Sequence, residues 1–592
     1  MRIAIVVALL VLLVVPATAD VWQMKQRDMY NTGQGDWSVA TDPGSVFGAI
    51  LWQKPSAGGV HATQMPFYDE AYGGLDIVVG SYYWGPKGVQ GMNRHTGALL
   101  WHVDVTGAND ISRYYTPAFS NDGSVVYQVI GNATDPLWAW YTTTPTTTWS
   151  NLNDTAPDHL KGPSPKIAPD GRIVLDKRDA YDNVYAGTDY GPGATPPARI
   201  QETWAGDPAC VNRQGQSYAL YQYYDSGKQR DVLMVVGALG DNVIGAWDAN
   251  DPGTPNQLWQ TNLGLDCNAE TPTIDPSNGN IYAVATQSYR GQSPGPIYVV
   301  GVDKDGSGLW ANTSMLIDDT QYVWDPDAAG GEGADVYGTV VGAYAGCLSH
   351  DGGTYYLQTL GTGTEIGSTG VSFYGRLYAV DTSDGSLKWS YDTSAYGGHS
   401  SKDTSCPIVT ENEVVIIGDN KAGGTYYAIK DDGTVGTLVD TCVVDATGKA
   451  TASASLASDG KLYLPMKTNW TVGNGDPDTP DGAVWDLFTC FQTTTLTVPG
   501  DVDGNGVVDG LDLTAVLSAW ETIPGDPLWN PAADLDGNDV INGLDLTEVI
   551  SNWTMAAAAP AASASATEAV KPDERGAGRG NVHKGRSNVR RK

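Results

Sequence analysis

The feature that most constrains the fold is a pattern that recurs eight times between residues 64 and 463. Each copy begins with small residues, often including proline, continues with an apolar pair, and passes through a turn into an alternating strand with Tyr or Val. In five copies the turn is Asp-Gly or Asn-Gly, a strong signal for a β-hairpin. The copies span residues 64–80, 116–127, 164–174, 207–220, 271–282, 346–356, 405–417 and 455–463.

The composition agrees with a β-rich fold. The 592-residue chain contains 72 Gly, 31 Tyr and 19 Trp but only 6 Phe. Abundant Gly, Tyr, Trp and Thr without helical periodicity is typical of strands joined by tight turns. Repeats of about 50 residues with four strands each are β-propeller blades, and a ring of blades hides its sheet edges. We therefore predict an all-β, eight-bladed β-propeller; two sandwiches side by side are the structural alternative.

Most copies continue into a third strand and a turn that leads to a tryptophan. The full motif, Ala-x-Asp-x-x-x-Gly-x-x-x-Trp, occurs at residues 379–389. It resembles the tryptophan-docking motif of pyrroloquinoline-quinone-repeat propellers, and the opening residues 22–33 resemble the start of many such propellers. The resemblance covers residues 20–492 and implies a quinoprotein-like ring in which each tryptophan packs between neighbouring blades. Partial versions of the motif end at Trp52, Trp101, Trp149, Trp204, Trp259 and Trp310.

Two twenty-residue stretches near the C-terminus, residues 501–520 and 534–553, are identical at 13 of 20 positions. In each, loop positions 1, 3, 5, 9 and 12 carry Asp or Asn, and position 7 offers a backbone carbonyl. This set of oxygen atoms suits a seven-coordinate Ca²⁺ ion. We therefore predict two Ca²⁺ sites, with an acid-rich turn that holds no metal as the alternative. The predicted ligands are Asp501, Asp503, Asn505, Val507, Asp509, Asp512, Asp534, Asp536, Asn538, Val540, Asn542 and Asp545.

Each loop is followed by apolar residues at i, i+3, i+4 and i+7, which is one face of a short helix. Position 6 of the loop needs a sharp turn, which Gly506 supplies in the first copy and Asp539 replaces in the second. Asp tolerates the left-handed conformation better than most residues, so the second loop is still expected to bind, more weakly. Two such loop–helix halves, without the entering helix of an EF-hand, resemble a type I dockerin over residues 500–553.

The dockerin resemblance implies docking onto a cohesin module of a scaffold or cell-surface protein, with one face presented by each half. Gly510, Leu511, Gly543 and Leu544 lie where the family's recognition positions begin, and Gly-Leu replaces the usual polar pair. Dockerin-bearing proteins usually take part in extracellular polysaccharide breakdown, so the family suggests that setting.

The two ends of the chain carry targeting and tail signals. Residues 1–19 combine Arg2, an apolar run and a final Ala-Thr-Ala, which predicts a cleaved secretory signal peptide, with an uncleaved anchor as the alternative. No other stretch approaches 18 apolar residues, so no transmembrane segment is expected. Residues 493–499 are interpreted as a linker. Residues 554–592, with 8 Lys/Arg against 3 acids and thus a net charge of +5, are interpreted as a disordered solubilising tail or an electrostatic tether.

The net charge and the cysteine content bear on the possible partners and on disulfide formation. The formal net charge of −34 argues against a nucleic-acid partner, because phosphates would be repelled, and is interpreted as a well-solvated surface. The chain contains six cysteines, which can pair in a secreted protein. We expect sequential disulfides, Cys210–Cys267, Cys347–Cys406 and Cys442–Cys490.

Three functions compete for the propeller: a non-catalytic binding or scaffold protein, a polysaccharide hydrolase or lyase, and a quinoprotein dehydrogenase. The dehydrogenase is disfavoured, and pyrroloquinoline quinone is not expected, because that family uses adjacent cysteines and this chain has none. A lyase needs a positioned base, and His61, His350 and His399 are candidates. Polysaccharide binding would use exposed aromatic rings. Candidates for sugar stacking are Tyr82, Tyr83, Trp84, Trp138 and Trp140.

Overall fold

A computed structural model describes most of the chain between residues 21 and 553. The segments outside the described residues are 1–20, 25, 57–63, 72–73, 83–87, 105–115, 130–136, 144–148, 151–163, 178–182, 188–217, 239–242, 251–256, 264–267, 270, 287–296, 319–345, 360–375, 393–405, 419–424, 444–452, 467–486, 495–499, 503–507, 509 and 554–592.

The described strands form eight sheets, numbered here in chain order, and all pairs except one are antiparallel. Sheet 1 contains β1 (Val21–Trp22), β4 (Phe67–Ala71), β5 (Leu75–Tyr82), β6 (Gly88–Asn93) and β7 (Leu99–Asp104). Sheet 2 contains β8 (Ala118–Phe119), β9 (Val125–Val129), β10 (Leu137–Tyr141) and β11 (Trp149–Ser150). Sheet 3 contains β12 (Lys166–Ile167), β13 (Ile173–Lys177) and β14 (Asn183–Gly187). Sheet 4 contains β15 (Ala219–Asp225), β16 (Arg230–Ala238), β17 (Val243–Asp248) and β18 (Gln257–Asn262).

The remaining four sheets follow the same meander, and two of them also receive strands from the N-terminal region. Sheet 5 contains β19 (Asn268–Ala269), β20 (Thr273–Ile274), β21 (Ile281–Thr286), β22 (Ile297–Val302) and β23 (Ser314–Asp318). Sheet 6 contains β24 (Cys347–Leu348), β25 (Thr354–Thr359), β26 (Arg376–Asp381) and β27 (Leu387–Asp392). Sheet 7 contains β2 (Gln34–Gly35), β28 (Ile408–Thr410), β29 (Val414–Gly418), β30 (Thr425–Asp431) and β31 (Gly436–Val443). Sheet 8 contains β3 (Phe47–Pro55), β32 (Ser455–Leu456), β33 (Lys461–Met466) and β34 (Leu487–Thr493).

The all-β prediction is confirmed, and most of the repeat copies coincide with the first hairpin of a sheet. Their turn glycines, such as Gly123 and Gly352, have φ of 67° and 72°, which only glycine adopts readily. In the copy at 207–220, residues 207–217 lie outside the described residues. The described strand Ala219–Asp225 pairs with Arg230–Ala238, so residues 219–220 also begin a hairpin that the copy did not include.

Neighbouring sheets are joined by the tryptophans that the resemblance implied would dock between blades. Trp52, on β3 of sheet 8, donates its indole N–H to the Arg94 carbonyl of sheet 1 at 3.0 Å. Its ring also lies against Gly97, whose φ is 67°, so a side chain there would collide with the indole. The same arrangement recurs at other joints. The equivalent bonds are Trp101 to the Thr142 carbonyl, Trp259 to the Lys304 carbonyl and Trp310 to the Thr382 carbonyl.

The N-terminal segment, residues 21–37, contacts all eight sheets. Besides supplying β1 to sheet 1 and β2 to sheet 7, it lies against Leu456 of sheet 8 and accepts a hydrogen bond from the Lys166 ammonium of sheet 3. Its carbonyls accept backbone N–H bonds of 2.7–2.9 Å from strands of four further sheets. These pairs are Gln23 with Phe119, Met29 with Leu220, Tyr30 with Ile274, and Thr32 with Leu348.

Two buried amides in this segment bind sheets that are far apart in the chain. The Gln26 amide donates to the carbonyls of Gly346 and Pro407, and the Asn31 amide donates to those of Tyr218 and Pro272. Both residues have positive φ, 55° and 61°, although neither is glycine. The hydrogen bonds to several sheets offset that backbone strain.

The cysteine prediction is wrong for two of the three pairs. Cys347, Cys406, Cys442 and Cys490 are all free thiols. Burial raises the pKa of Cys442 and of Cys490 to about 12, and the pKa of Cys347 is also raised by burial, so these groups resist forming the thiolate that disulfide formation requires. The third pair, Cys210–Cys267, lies outside the described residues.

The C-terminal module is helical and small. It contains helix α1 (Gly510–Ser518), a 3₁₀ turn (Pro531–Ala533) and helix α2 (Gly543–Ser551). The buried face of the two helices includes Val516 and Val549, which share a core with Ile541. Within the described part of the chain, no helix is both long and apolar enough to cross a bilayer.

Candidate metal centre

The second acid-rich loop forms a group of converging carboxylates. Oxygen atoms of Asp534, Asp536 and Asp545 all lie within 4.8 Å of one another. Three carboxylates at that distance repel one another unless a cation lies among them, and the hard oxygen donors suit Ca²⁺. The residues present therefore fit a calcium ion.

The local backbone holds these carboxylates in place. Asp545 is fully buried, and it accepts hydrogen bonds from the N–H groups of Leu535 and Asn542, both at 2.7 Å. The Asn542 side chain in turn accepts from the backbone N–H groups of Leu544 and Asp545, so Asn542 and Asp545 form a capping box at the start of α2. The residue at loop position 12 is thus also the N3 residue of the helix, which joins the ion site to the helix start.

The other predicted ligands of this loop are bonded to one another. The Asn538 side-chain oxygen accepts from the N–H of Val540 at 2.9 Å, and the Asn542 amide donates to the Val540 carbonyl at 2.8 Å. Asn538 also contacts the acidic group directly, since its amide donates to Asp536 at 2.7 Å. The three acids thus converge, and the assignment of all six residues as ligands stays a prediction. Asp539, at position 6, has φ of 62°, the left-handed conformation that this position requires.

The first loop is described only at its two ends. Asp501 and Asp512 are described, and Asp512 is buried and accepts the N–H of Val502 at 2.6 Å. Asp503, Asn505, Val507 and Asp509 lie outside the described residues.

A second group with metal-ligating side chains lies between sheets 1 and 8, and sequence reasoning did not find it. Asp69, Asp76 and His95 approach one another within 4.8 Å. Here protein cations already neutralise the acids, because the buried Arg94 forms an ion pair with Asp69 and lies 3.3 Å from Asp459. This group therefore acts as an ion-pair cluster between two sheets, whereas no Lys, Arg or His among the described residues pairs with the acids of the C-terminal loop.

Comparison with known proteins decides the nature of the C-terminal module. Residues 499–552 match the family model described as the dockerin type I domain. The chain contains a dockerin. No curated protein matches the chain.

The sheets between residues 21 and 493 have the β-propeller fold. The quinohemoprotein alcohol dehydrogenase of Comamonas testosteroni superposes with a TM-score of 0.50 at 14% identity, over 81% of each chain. A quinohemoprotein alcohol dehydrogenase of Pseudomonas putida HK5 gives 0.48 at 13% identity over 81% of each chain. A europium-containing methanol dehydrogenase gives 0.49 at 13% identity, over 80% of this chain and 98% of the other. At this level of identity the likeness concerns the fold alone.

The dockerin presents a duplicated set of exposed apolar side chains. Leu511 and Leu544, 33 residues apart, are exposed to almost the same extent, 62% and 61%. Trp520 and Trp553, again 33 residues apart, are 37% and 39% exposed. Leu517 and Ile550 form a third exposed pair with the same spacing. Each helix of the dockerin therefore buries one apolar face and leaves a second in solvent.

The structure describes the side chains of three of the candidate bases and sugar-stacking rings of the propeller. Tyr82 and Trp140 are buried between strands, and the Tyr82 hydroxyl donates to Asp104 at 2.6 Å, so neither ring stacks on a ligand. Trp138 lies on β10, and its side chain is outside the described part of the protein. Desolvation of the His350 ring and the charge of Arg27 lower its pKa to about 4. The candidates that lie outside the described residues are His61, Tyr83, Trp84 and His399.

Proposed function

We propose that this protein is a secreted, non-catalytic β-propeller that binds or scaffolds other molecules and is attached to a cohesin-type partner through its calcium-dependent dockerin. The observation that carries the proposal is the group formed by Asp534, Asp536 and Asp545 at the start of α2, a helix with an exposed apolar face. Dockerin domains bind cohesins, and the family's usual setting makes extracellular polysaccharide degradation the proposed process.

Calcium would control docking through the helix start. An ion held by Asp534, Asp536 and Asp545 would fix the carboxylate that caps α2, and α2 carries Leu544 and Ile550. A metal that binds only the folded loop stabilises it by mass action. The shape of the docking face thus depends on an occupied loop. We assign the twelve predicted ligands to two such sites, one in each half.

The two halves would offer equivalent docking faces. Leu511, Leu517 and Trp520 on one half correspond to Leu544, Ile550 and Trp553 on the other. An apolar face rich in Leu and Trp suits the desolvated centre of a protein interface. Because the halves are so alike, a cohesin would bind either of them.

The propeller would be a closed ring of eight blades. Support comes from the eight sheets, from β3, which adds an N-terminal strand to the C-terminal sheet, and from Trp52, which connects that sheet to sheet 1. The signal peptide at residues 1–19 would export the chain, and the net charge of −34 would keep the ring soluble and free of nucleic acid. The absence of adjacent cysteines in the sequence supports a ring without pyrroloquinoline quinone.

The proposal is tested with the full-length secreted protein. Calcium titration by calorimetry should reveal two sites, and immobilised cohesins should retain the protein in calcium and release it in a chelator. The Asp534→Asn/Asp545→Asn variant should lose one site, and Asp526→Asn, an exposed acid outside both loops, serves as the matched control. Absence of calcium binding at millimolar concentration would remove the attachment mechanism.

A further inference from the structure

The joint between sheets 6 and 7 differs from the other joints at which a docking tryptophan is described. Elsewhere the indole N–H donates to a backbone carbonyl, as Trp52 does to Arg94 and Trp310 does to Thr382. Trp389 instead donates to a carboxylate, Oδ1 of Asp431, at 2.7 Å. A backbone carbonyl cannot change its charge, whereas a carboxylate responds to its electrostatic surroundings.

The Asp431 carboxylate competes with a second carboxylate for one proton donor. The hydroxyl of the fully buried Tyr356 lies 2.7 Å from Oδ2 of Asp431 and 3.2 Å from Oε2 of Glu413. A phenol has a single hydrogen, so it can donate to only one of two ionised carboxylates at a time. Protonation of one of the two carboxylates removes this competition, because the protonated group becomes a donor itself.

Glu413 occupies a position that the fold normally gives to glycine. In other sheets, the equivalent turn residue of the first hairpin is a glycine with positive φ, among them Gly123, Gly352 and Gly460. Glu413 has φ of 58° and is thus a non-glycine residue in the left-handed region. Local strain of this kind persists where the side chain has a role to fulfil, and here the side chain reaches Tyr356.

Charged groups surround Glu413 on every element packed against it. From the turn of sheet 6 come Asp351 and the N–H of His350, which donates to Oε1 of Glu413 at 3.0 Å. From sheet 7 come Lys430 and Asp431, with Asp432 beyond them, and Cys347 faces the site from β24. Burial, with Asp351 as a further cause, raises the pKa of Glu413 to about 7, although hydrogen bonds and Lys430 oppose the shift.

We propose that Glu413, Tyr356 and Asp431 form a proton-controlled latch that holds sheets 6 and 7 together through Trp389. When solvent protonates Glu413, its carboxyl O–H donates to the Tyr356 oxygen, and Tyr356 donates its own hydrogen to Asp431. Glu413 then donates to Tyr356, and both Tyr356 and Trp389 donate to Asp431, so that each hydrogen has one acceptor. When Glu413 loses its proton to solvent, the two carboxylates repel each other and compete for Tyr356, which weakens the Trp389 bond.

Hydrogen exchange of the full-length protein tests the latch. Protection factors, corrected for intrinsic rates, are compared at pH 5.5 and pH 8 for peptides covering β27 and β30. We expect protection to fall roughly tenfold at the higher pH, because ionisation of a group with a pKa near 7 is linked to opening. Peptides covering β18 and β22, at the joint where Trp259 donates to a backbone carbonyl, serve as the internal reference and should not change.

Two variants complete the test. In Glu413→Gln the pH dependence at β27 and β30 should disappear, while Asp384→Asn, an exposed turn acid on sheet 6, should retain it. Should the Gln variant fail to fold, Glu413→Gly restores the residue of the other turns and should show the same loss. The latch is refuted by pH-independent protection in the unmodified protein, or by an unchanged pH dependence in both Glu413 variants.

Discussion

Asp512 and Asp545, 33 residues apart, make the same buried contact: each accepts the backbone N–H of the residue ten positions earlier, at 2.6 and 2.7 Å. The donors, Val502 and Leu535, directly follow the first residue of each acid-rich loop. Each carboxylate thus joins the beginning of its loop to the helix that follows. The two halves of the dockerin therefore share the same loop-to-helix hydrogen bond, and equivalent substitutions in the two halves should have similar effects.

The first prediction concerns this anchor. Asp545→Ala should abolish measurable calcium binding by the second loop, because the carboxylate faces the ion site. The first turn of α2 should also unfold, because the same carboxylate caps the helix. Calorimetry should register one remaining site of the two expected, and circular dichroism should show reduced helicity. Normal stoichiometry in the variant would contradict the assigned ligand.

The second prediction concerns the strained turn of the same loop. Asp539→Gly should stabilise the loop by about 1 kcal/mol, because glycine adopts φ of 62° without steric conflict. The second site of the variant should also bind calcium more tightly, because the backbone at residue 539 would no longer be strained in the bound loop. The measurement is a calcium titration of both proteins under identical conditions, and weaker binding in the variant would show that the Asp539 side chain itself contributes.

The third prediction concerns the duplicated docking faces. Replacing Leu511 and Trp520 with Ala should leave cohesin binding nearly intact, and so should replacing Leu544 and Trp553. The combination of all four should eliminate binding, because no apolar face then remains. Surface plasmon resonance on an immobilised cohesin measures all three proteins. If one pair alone removes binding, the partner uses a single face.

The fourth prediction concerns the tryptophan that connects the last sheet to the first. Trp52→Phe removes the indole bond to the Arg94 carbonyl and should lower the free energy of unfolding by about 1 kcal/mol. Trp52→Ala also leaves a cavity beside Gly97 and should lower it by about 3–5 kcal/mol. Urea unfolding provides both values. Equal losses in the two variants would mean that ring packing contributes little.

The fifth prediction concerns stability as a function of pH. Because the pKa of Glu413 rises from 4.5 to about 7 on folding, the folded state holds this proton more tightly than the unfolded chain does. Its contribution to stability is therefore fully present below pH 4.5 and is lost as pH rises through 7. Urea unfolding of Glu413→Gln should be less pH-dependent over this window than that of the unmodified protein; identical profiles would exclude the effect.

Local sequence patterns predicted much of the fold. The Asp-Gly turns marked the first hairpins of several sheets, and the Gly-x-x-x-Trp spacing identified tryptophans such as Trp389, because turn geometry and strand period are local properties. In the second C-terminal loop, ligand spacing alone identified the converging acids Asp534, Asp536 and Asp545, because a 12-residue loop brings its own ligands together.

What the sequence did not reveal depends on contacts between distant residues. The sequence around Glu413 does not indicate that Tyr356 and Asp431 lie beside it. The local signal of an unusual turn is a glutamate at the position where other first hairpins have glycine. The disulfide expectation failed for the same reason, since spacing along the chain does not reveal how deeply Cys442 and Cys490 are buried. The Arg94 cluster likewise unites residues from opposite ends of the propeller sequence.

The N-terminal segment also limits the order in which the parts of this protein can fold. Gln26 is made early in synthesis, yet the carbonyls that its amide binds belong to residues 320 and 381 positions later. Such distant contacts form slowly, because the long intervening loop must close first. The segment therefore cannot complete its contacts until the last sheets have been made. A fusion joined directly before residue 21 should hinder assembly, whereas one placed after the dockerin should not.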